Sequence, residues 1–169
     1  MDAAIDRDPA VQSLLDKLAI HELLMRYCRA IDRCDEELLR TVYHAEAWEN
    51  HGSFNGPASE FIPWAMNLLR QHYKTTTHAI CNELVELAGD VAHSESYFFA
   101  CHRYERAGQE YDWTIAGRYV DRFERRDGAW KIAHRLAVMD WDRVDPVTDK
   151  RPAPPVVGLR SRQDPVYQR

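Results

Sequence analysis

Long apolar runs are missing from this chain of 169 residues. No stretch approaches the roughly 20 consecutive apolar residues that a membrane helix needs, so no membrane-spanning role is expected. An excess of positive charge is missing too. The 22 Lys and Arg face 27 Asp and Glu, a net charge of −5, which offers nucleic acid no basic surface. Nor does any basic amphipathic stretch suggest binding to a membrane surface. No glycine-rich phosphate loop, dinucleotide fingerprint, HExxH or GxSxG motif occurs, so no cofactor is expected and any chemistry must run on acid–base groups. The cysteines Cys28, Cys34, Cys81 and Cys101 form no CxxC pair and no Cys/His cluster. That argues against a metal site and for free thiols. The N-terminal MDAAIDRDPA is acidic and lacks an apolar leader, which reads as a cytoplasmic protein.

What is present is an ordinary globular balance of 45% hydrophobic and 29% charged residues, enough for one self-sufficient core. Residues 1–10 read as a flexible N-terminus. From Val11 the pattern is helical, with Ile20, Leu23, Leu24, Tyr27 and Ile31 at three- and four-residue steps and Leu14, Leu15 and Leu18 extending the stripe upstream. A shorter helix starts at Asp35, a plausible N-cap, and AEAWENHGSF reads as a strand closed by Asn55-Gly56. Pro57 and Ser59 open a third helix. Then come four long strand-like segments, punctuated by Gly89-Asp90, Ala107-Gly108 and Asp127-Gly128. In the third, Trp113, Ile115, Gly117, Tyr119 and Phe123 share one parity. In the last, Trp130, Ile132, His134, Leu136 and Val138 do.

Helices first and a strand meander after them argue an α+β fold. The expected form is a cone-like, curved antiparallel β-sheet wrapped around the N-terminal helices and enclosing a pocket. The domain spans residues 11–143. Residues 144–169 hold five of the eight prolines and read as an extended arm, covering a neighbouring surface or disordered.

The segments AIHELLMRYCRAIDRCD, TTHAI and ERRDGAWKIAHRLAVMDW, in this order of elements, resemble the nuclear transport factor two-like superfamily, and within it the SnoaL-like branch. Scytalone dehydratase, bile acid 7α-dehydratase and hexachlorocyclohexane dehydrochlorinase are members of this group. The resemblance implies catalytic roles for Asp32, at the end of the first helix, His78, on the following long strand, and Tyr27, five residues before the Asp. It also places Arg135 as a substrate-binding arginine on the last strand. A second histidine that scytalone dehydratase carries on the third strand falls at Cys101 or His102. Assembly as a homotrimer or homodimer through the outer face of the sheet is implied as well.

Asp32 near a helix C-terminus faces an unfavourable dipole and needs a partner. A histidine opposite it would have its tautomer set by the carboxylate and would act as base. The bland reading is a solvated helix end for Asp32, and a satisfied core histidine for His78. Tyr27 lies about 140° around the helix from Asp32, so the two flank a common direction. Core packing is the competing reading for Tyr27, and a surface ion pair for Arg135. Trp48, Trp113, Tyr97 and Tyr119 are aromatic candidates for the pocket wall, with plain core as the alternative. If they line it, a small hydrophobic, ring-containing substrate fits.

These residues point to a lyase that eliminates water, halide or another small fragment, including formaldehyde by C–C cleavage. The alternatives are an isomerase like ketosteroid isomerase, which shares the fold, or a non-catalytic binding module like the small subunit of ring-hydroxylating dioxygenases.

Overall fold

The computed structural model describes residues 8–149, 152 and 154–169. Helix α1 spans Pro9–Arg33. Asp8 caps it, its carboxylate accepting the Ala10 N–H at 2.8 Å, and Pro9 takes the first helical position, where no N–H is needed. Helical structure therefore begins two residues earlier than Val11, while residues 1–7 of the expected flexible terminus lie outside the described residues. The helix ends at Cys34, whose left-handed backbone (φ 50°) turns its N–H back to the carbonyls of Ala30 and Ile31. Helix α2, Glu36–Val42, is capped by Asp35, which accepts the Leu38 N–H at 3.1 Å. Helix α3 covers Ala58–His72.

The strands are β1 (Tyr43–Asn50), β2 (Asn55–Pro57), β3 (Thr75–Ala88), β4 (Val91–Arg106), β5 (Gln109–Arg126) and β6 (Ala129–Pro146), in the order β2-β1-β6-β5-β4-β3. Strands β3 to β6 form the expected meander. At the β5–β6 turn, Asp127 (φ 51°) and Gly128 (φ 77°) supply the left-handed pair that a tight hairpin requires. Two expectations are corrected. The sheet is mixed, because β1 runs parallel to β6. A helix and four strands separate the two, so no hairpin sets their direction. Asn55-Gly56 is not the turn either: Asn55 pairs with Asn50 in β2, and the reversal lies in His51–Phe54, where Gly52 (φ 73°) takes the left-handed position.

The curved, unclosed sheet receives α1 against β3 and β6 and α3 against β1 and β2. Ile20, Leu24, Leu39, Phe61, Phe123 and Ile132 are buried between these layers. Leu14, Leu15 and Leu18, read as part of the buried stripe, are exposed. The inward residue on that part of α1 is Asp16, which accepts hydrogen bonds from Trp130 Nε1 at 2.9 Å and Arg125 Nη1 at 2.9 Å.

Register irregularities decide which residues face inward. In β3 the pairing shifts between Ile80 and Glu83, so His78 and Ile80 face the helices whereas Leu84 is exposed and Val85 buried. In β6 the extra residue Ala133 separates Ile132 from His134 in the ladder. Beyond it His134 points out and Arg135 in, the reverse of simple alternation.

Candidate active site

The last turn of α1 delivers Asp32 to the inner edge of β3. Its Oδ2 accepts the backbone N–H of His78 at 2.9 Å, and its Oδ1 lies 2.7 Å from His78 Nδ1. These bonds offset the helix-dipole penalty on a carboxylate at that place. They also set the imidazole: a carboxylate only accepts, so Nδ1 carries the proton and Nε2 is left for the cavity. Both side chains are largely buried, at 7% exposure for His78 and 12% for Asp32.

His78 forms part of the wall of a cavity of about 610 Å³ between the helices and the sheet. Tyr27, Ile31, Phe61, Phe98, Ile115 and Tyr119 give it a mostly apolar lining. Burial, reinforced by nearby Glu49 and opposed by Arg135, holds the Tyr27 phenol well above its ordinary range, so it stays protonated. Phe98 stacks on Tyr119 at 4.4 Å, and Tyr27 meets Tyr119 edge-on at 5.6 Å.

His102, and not Cys101, is the residue that β4 offers to the cavity at this place. Cys101, of opposite parity, is not among the cavity-lining residues. The His102 ring packs edge-on against His78 at 5.2 Å, and against Tyr73 at 4.9 Å and Trp113 at 5.4 Å. Desolvation, with a smaller contribution from His78, pushes its pKa down to about 3, so it is a neutral ring. Its Nδ1 is buried without a protein partner.

Trp113 and Tyr119 line the cavity as expected; Arg135, Trp48 and Tyr97 do not. Arg135 is wholly buried behind the wall. It donates twice to Asp121, Nε–Oδ1 at 2.8 Å and Nη2–Oδ2 at 2.7 Å, and its guanidinium lies 4.1 Å from the ring centroids of both Tyr27 and Tyr119. It forms an ion pair in the core instead of reaching the cavity surface. Tyr97 is of opposite parity to Phe98, Ala100 and His102 and so lies on the outer face, 42% exposed. Trp48 likewise alternates outward between buried Ala47 and Glu49, and donates to Asn55 Oδ1 at 2.7 Å.

Sequence reasoning missed a second carboxylate–imidazole pair. Glu49, wholly buried on β1, accepts from the Tyr43 hydroxyl at 2.7 Å, and its Oε1 lies 2.8 Å from Nδ1 of His51, which lines the same cavity. The available signal was Glu49-Asn50-His51 at a strand end, where residues two apart share a face. Among the described residues no group of three or more His, Cys, Asp or Glu is arranged to hold a metal. No described helix is long and apolar enough to cross a membrane.

Residues 12–136 match the sequence profile of the SnoaL-like domain. No functionally curated protein matches the chain. Among solved structures, a type 2 hexachlorocyclohexane dehydrochlorinase (LinA) superposes with a TM-score of 0.74 at 22% identity, covering 88% of this chain and 99% of that one. The LinA-type3 dehydrochlorinase of Novosphingobium barchaimii LL02 gives 0.73 at 19%, covering 86% and 99%. A protein of Novosphingobium aromaticivorans DSM 12444 named for scytalone dehydratase gives 0.69 at 19%, covering 82% and 97%. At these identities the likeness is one of fold.

Proposed function

Because this chain belongs to the SnoaL-like domain family, we propose that it is a lyase acting without a cofactor, with His78 as its base and Asp32 as the residue that orients the base. The observation that carries this reading is the 2.7 Å contact between Asp32 Oδ1 and His78 Nδ1 in the wall of an apolar cavity. A cavity of about 610 Å³ suits a small aromatic or polycyclic molecule. Solved relatives named for dehydrochlorination and for scytalone dehydratase support elimination as the reaction type.

Nε2 of His78 removes a proton next to a carbonyl or from a phenol-activated position. The Tyr27 hydroxyl donates a hydrogen bond to the oxygen on which charge develops. Electron flow then expels water, halide or a one-carbon fragment. A placed base contributes on the order of 10² to 10⁴ in rate. Purified protein screened against aromatic hydroxy ketones is expected to release products lighter by water, or by formaldehyde if a C–C bond breaks, as read by mass spectrometry. His78→Ala is expected to lower turnover on the order of 10² to 10⁴ with binding retained. Unchanged turnover in that variant removes the reading. A product of unchanged mass carrying solvent deuterium would replace it with isomerisation.

A further inference from the structure

We infer that His51, oriented by Glu49, is a second proton-transfer group of this cavity and serves as the acid that protonates a departing hydroxyl; this rests on the reading of His78 as base. The two imidazoles reach the cavity from different walls. His78 stands on β3 against His102, and His51 leaves the β1–β2 turn beside Phe61 (5.3 Å) and Tyr119 (6.2 Å). Each has its Nδ1 on a carboxylate, and each has Nε2 left for the cavity. Glu49 is the more deeply placed of the two carboxylates, with no exposed surface, and the Tyr43 hydroxyl donates to its second oxygen. A buried carboxylate so held takes the Nδ1–H of His51 and fixes the ring, so that its acid form presents an Nε2–H to the cavity. His51 itself is 30% exposed, so its proton can be renewed from solvent, whereas His78 is almost closed off.

The placement bears on substrate class. Halide leaves as a stable anion and needs no acid. Hydroxide is a poor leaving group and must take up a proton as the C–O bond breaks. A cavity with a base and a separate acid therefore fits dehydration of a β-hydroxy ketone or a similarly activated alcohol. The proton on carbon moves to Nε2 of His78. The C–H electron pair forms the new C=C bond. The C–O bond breaks with its electrons on oxygen, and that oxygen takes the proton from Nε2 of His51 and departs as water. His78 then holds the proton that His51 has lost, and exchange with solvent restores both. Glu49 is a positioning residue, since it touches only Tyr43 and His51 in this scheme.

The test compares two substrates that give the same enone, the aldol adduct of acetone with benzaldehyde and its O-acetyl ester, followed by ultraviolet absorbance. The alcohol needs an acid and the acetate does not. In His51→Asn the alcohol-to-acetate rate ratio is expected to fall on the order of 10², while His78→Asn slows both substrates alike. Glu49→Gln is expected to lower the same ratio and to change the His51 tautomer seen by nitrogen NMR. An unchanged ratio in His51→Asn overturns the acid assignment. Equal rates in wild type and His78→Asn overturn the base assignment, which is a separate failure. If the wild type turns over neither compound, nitrogen NMR during titration with β-naphthol decides. Paired movement of the His51 and His78 ring signals supports the assignment, movement of His78 alone overturns it, and movement of neither removes both readings.

Discussion

His102 shows how one residue couples the cavity to the stability of the whole chain. Burial holds its pKa at about 3, against 6.5 for a free imidazole. Between those values the unfolded chain binds a proton that the folded chain excludes. Stability from this group is therefore complete above about pH 6.5, declines as pH falls below it, and levels off near 3, with a limiting slope of about 1.4 kcal/mol per pH unit. His102→Phe keeps an aromatic ring against Tyr73 and Trp113 but does not titrate. Urea unfolding at pH 7 and pH 5 is expected to give a shallower pH dependence for the variant, by up to that slope; parallel curves would remove the claim. At this scale the sequence was readable only where chemistry came with a partner. Asp32 and His78 are 46 positions apart, and only family resemblance joined them. Glu49 and His51 are two apart, yet the bend at Gly52 hid their common face because the turn was assigned to Asn55-Gly56.

At the scale of elements, the order of helices and strands followed from periodicity and turn residues, but the inward faces of β3 and β6 did not. One extra residue in a ladder exchanges the two faces of everything after it, and nothing in the side chains of Cys81-Asn82 or Ala133 announces this. The exchange at Ala133 sends Arg135 inward, where it pairs with Asp121 and backs Tyr27 and Tyr119, and sends His134 outward. A second shift, between Ala116 and Gly117, brings strands β4 to β6 close together at Gly117. A Cβ there would sit 2.1 Å from the Val138 carbonyl oxygen and 2.9 Å from Cζ of Phe98. The first obstacle is backbone, so no rotamer change relieves it. Gly117→Ala is expected to destabilise the chain by about 3 kcal/mol, and to disturb the Phe98–Tyr119 stack that forms part of the cavity wall. A urea midpoint equal to wild type would show that the strands can part without cost.

For the molecule as a whole, the proline-rich arm covers a surface of its own chain. Of its described residues, 144–146 continue β6, and anchors between Arg160 and Tyr167 hold the rest to the same chain. Arg160 donates to the Leu69 carbonyl at 3.0 Å, to the Tyr73 carbonyl, and to Cys34 Sγ at 3.0 Å, so a cation occupies the C-terminal end of α3 where the helix dipole favours it. Tyr167 donates to Asp35 Oδ2 at 2.7 Å, and Arg33 pairs with Asp164 at 3.2 Å. Low apolar periodicity left these anchors unreadable, because the arm is held by hydrogen bonds to carbonyls and carboxylates and not by a buried stripe. Exposed apolar residues remain on α1 (Leu14, Leu15, Leu18), on the arm (Val156, Val157) and on the outer face of the sheet, where Phe99 meets Trp141 edge-on at 6.0 Å beside exposed Tyr97. Were copies of the chain to assemble through that face, the arm would stay where it is. Ending the chain at Asp149 is thus expected to leave the light-scattering mass per assembly unchanged in copy number. The same truncation removes contacts worth about 2 kcal/mol net, or about 4–8 °C in melting temperature for a domain of this size. It also frees Tyr73, whose ring packs on His102, so hydrogen exchange at the end of α3 is expected to rise. A drop in copy number on truncation would instead return the arm to the role of wrapping a neighbour.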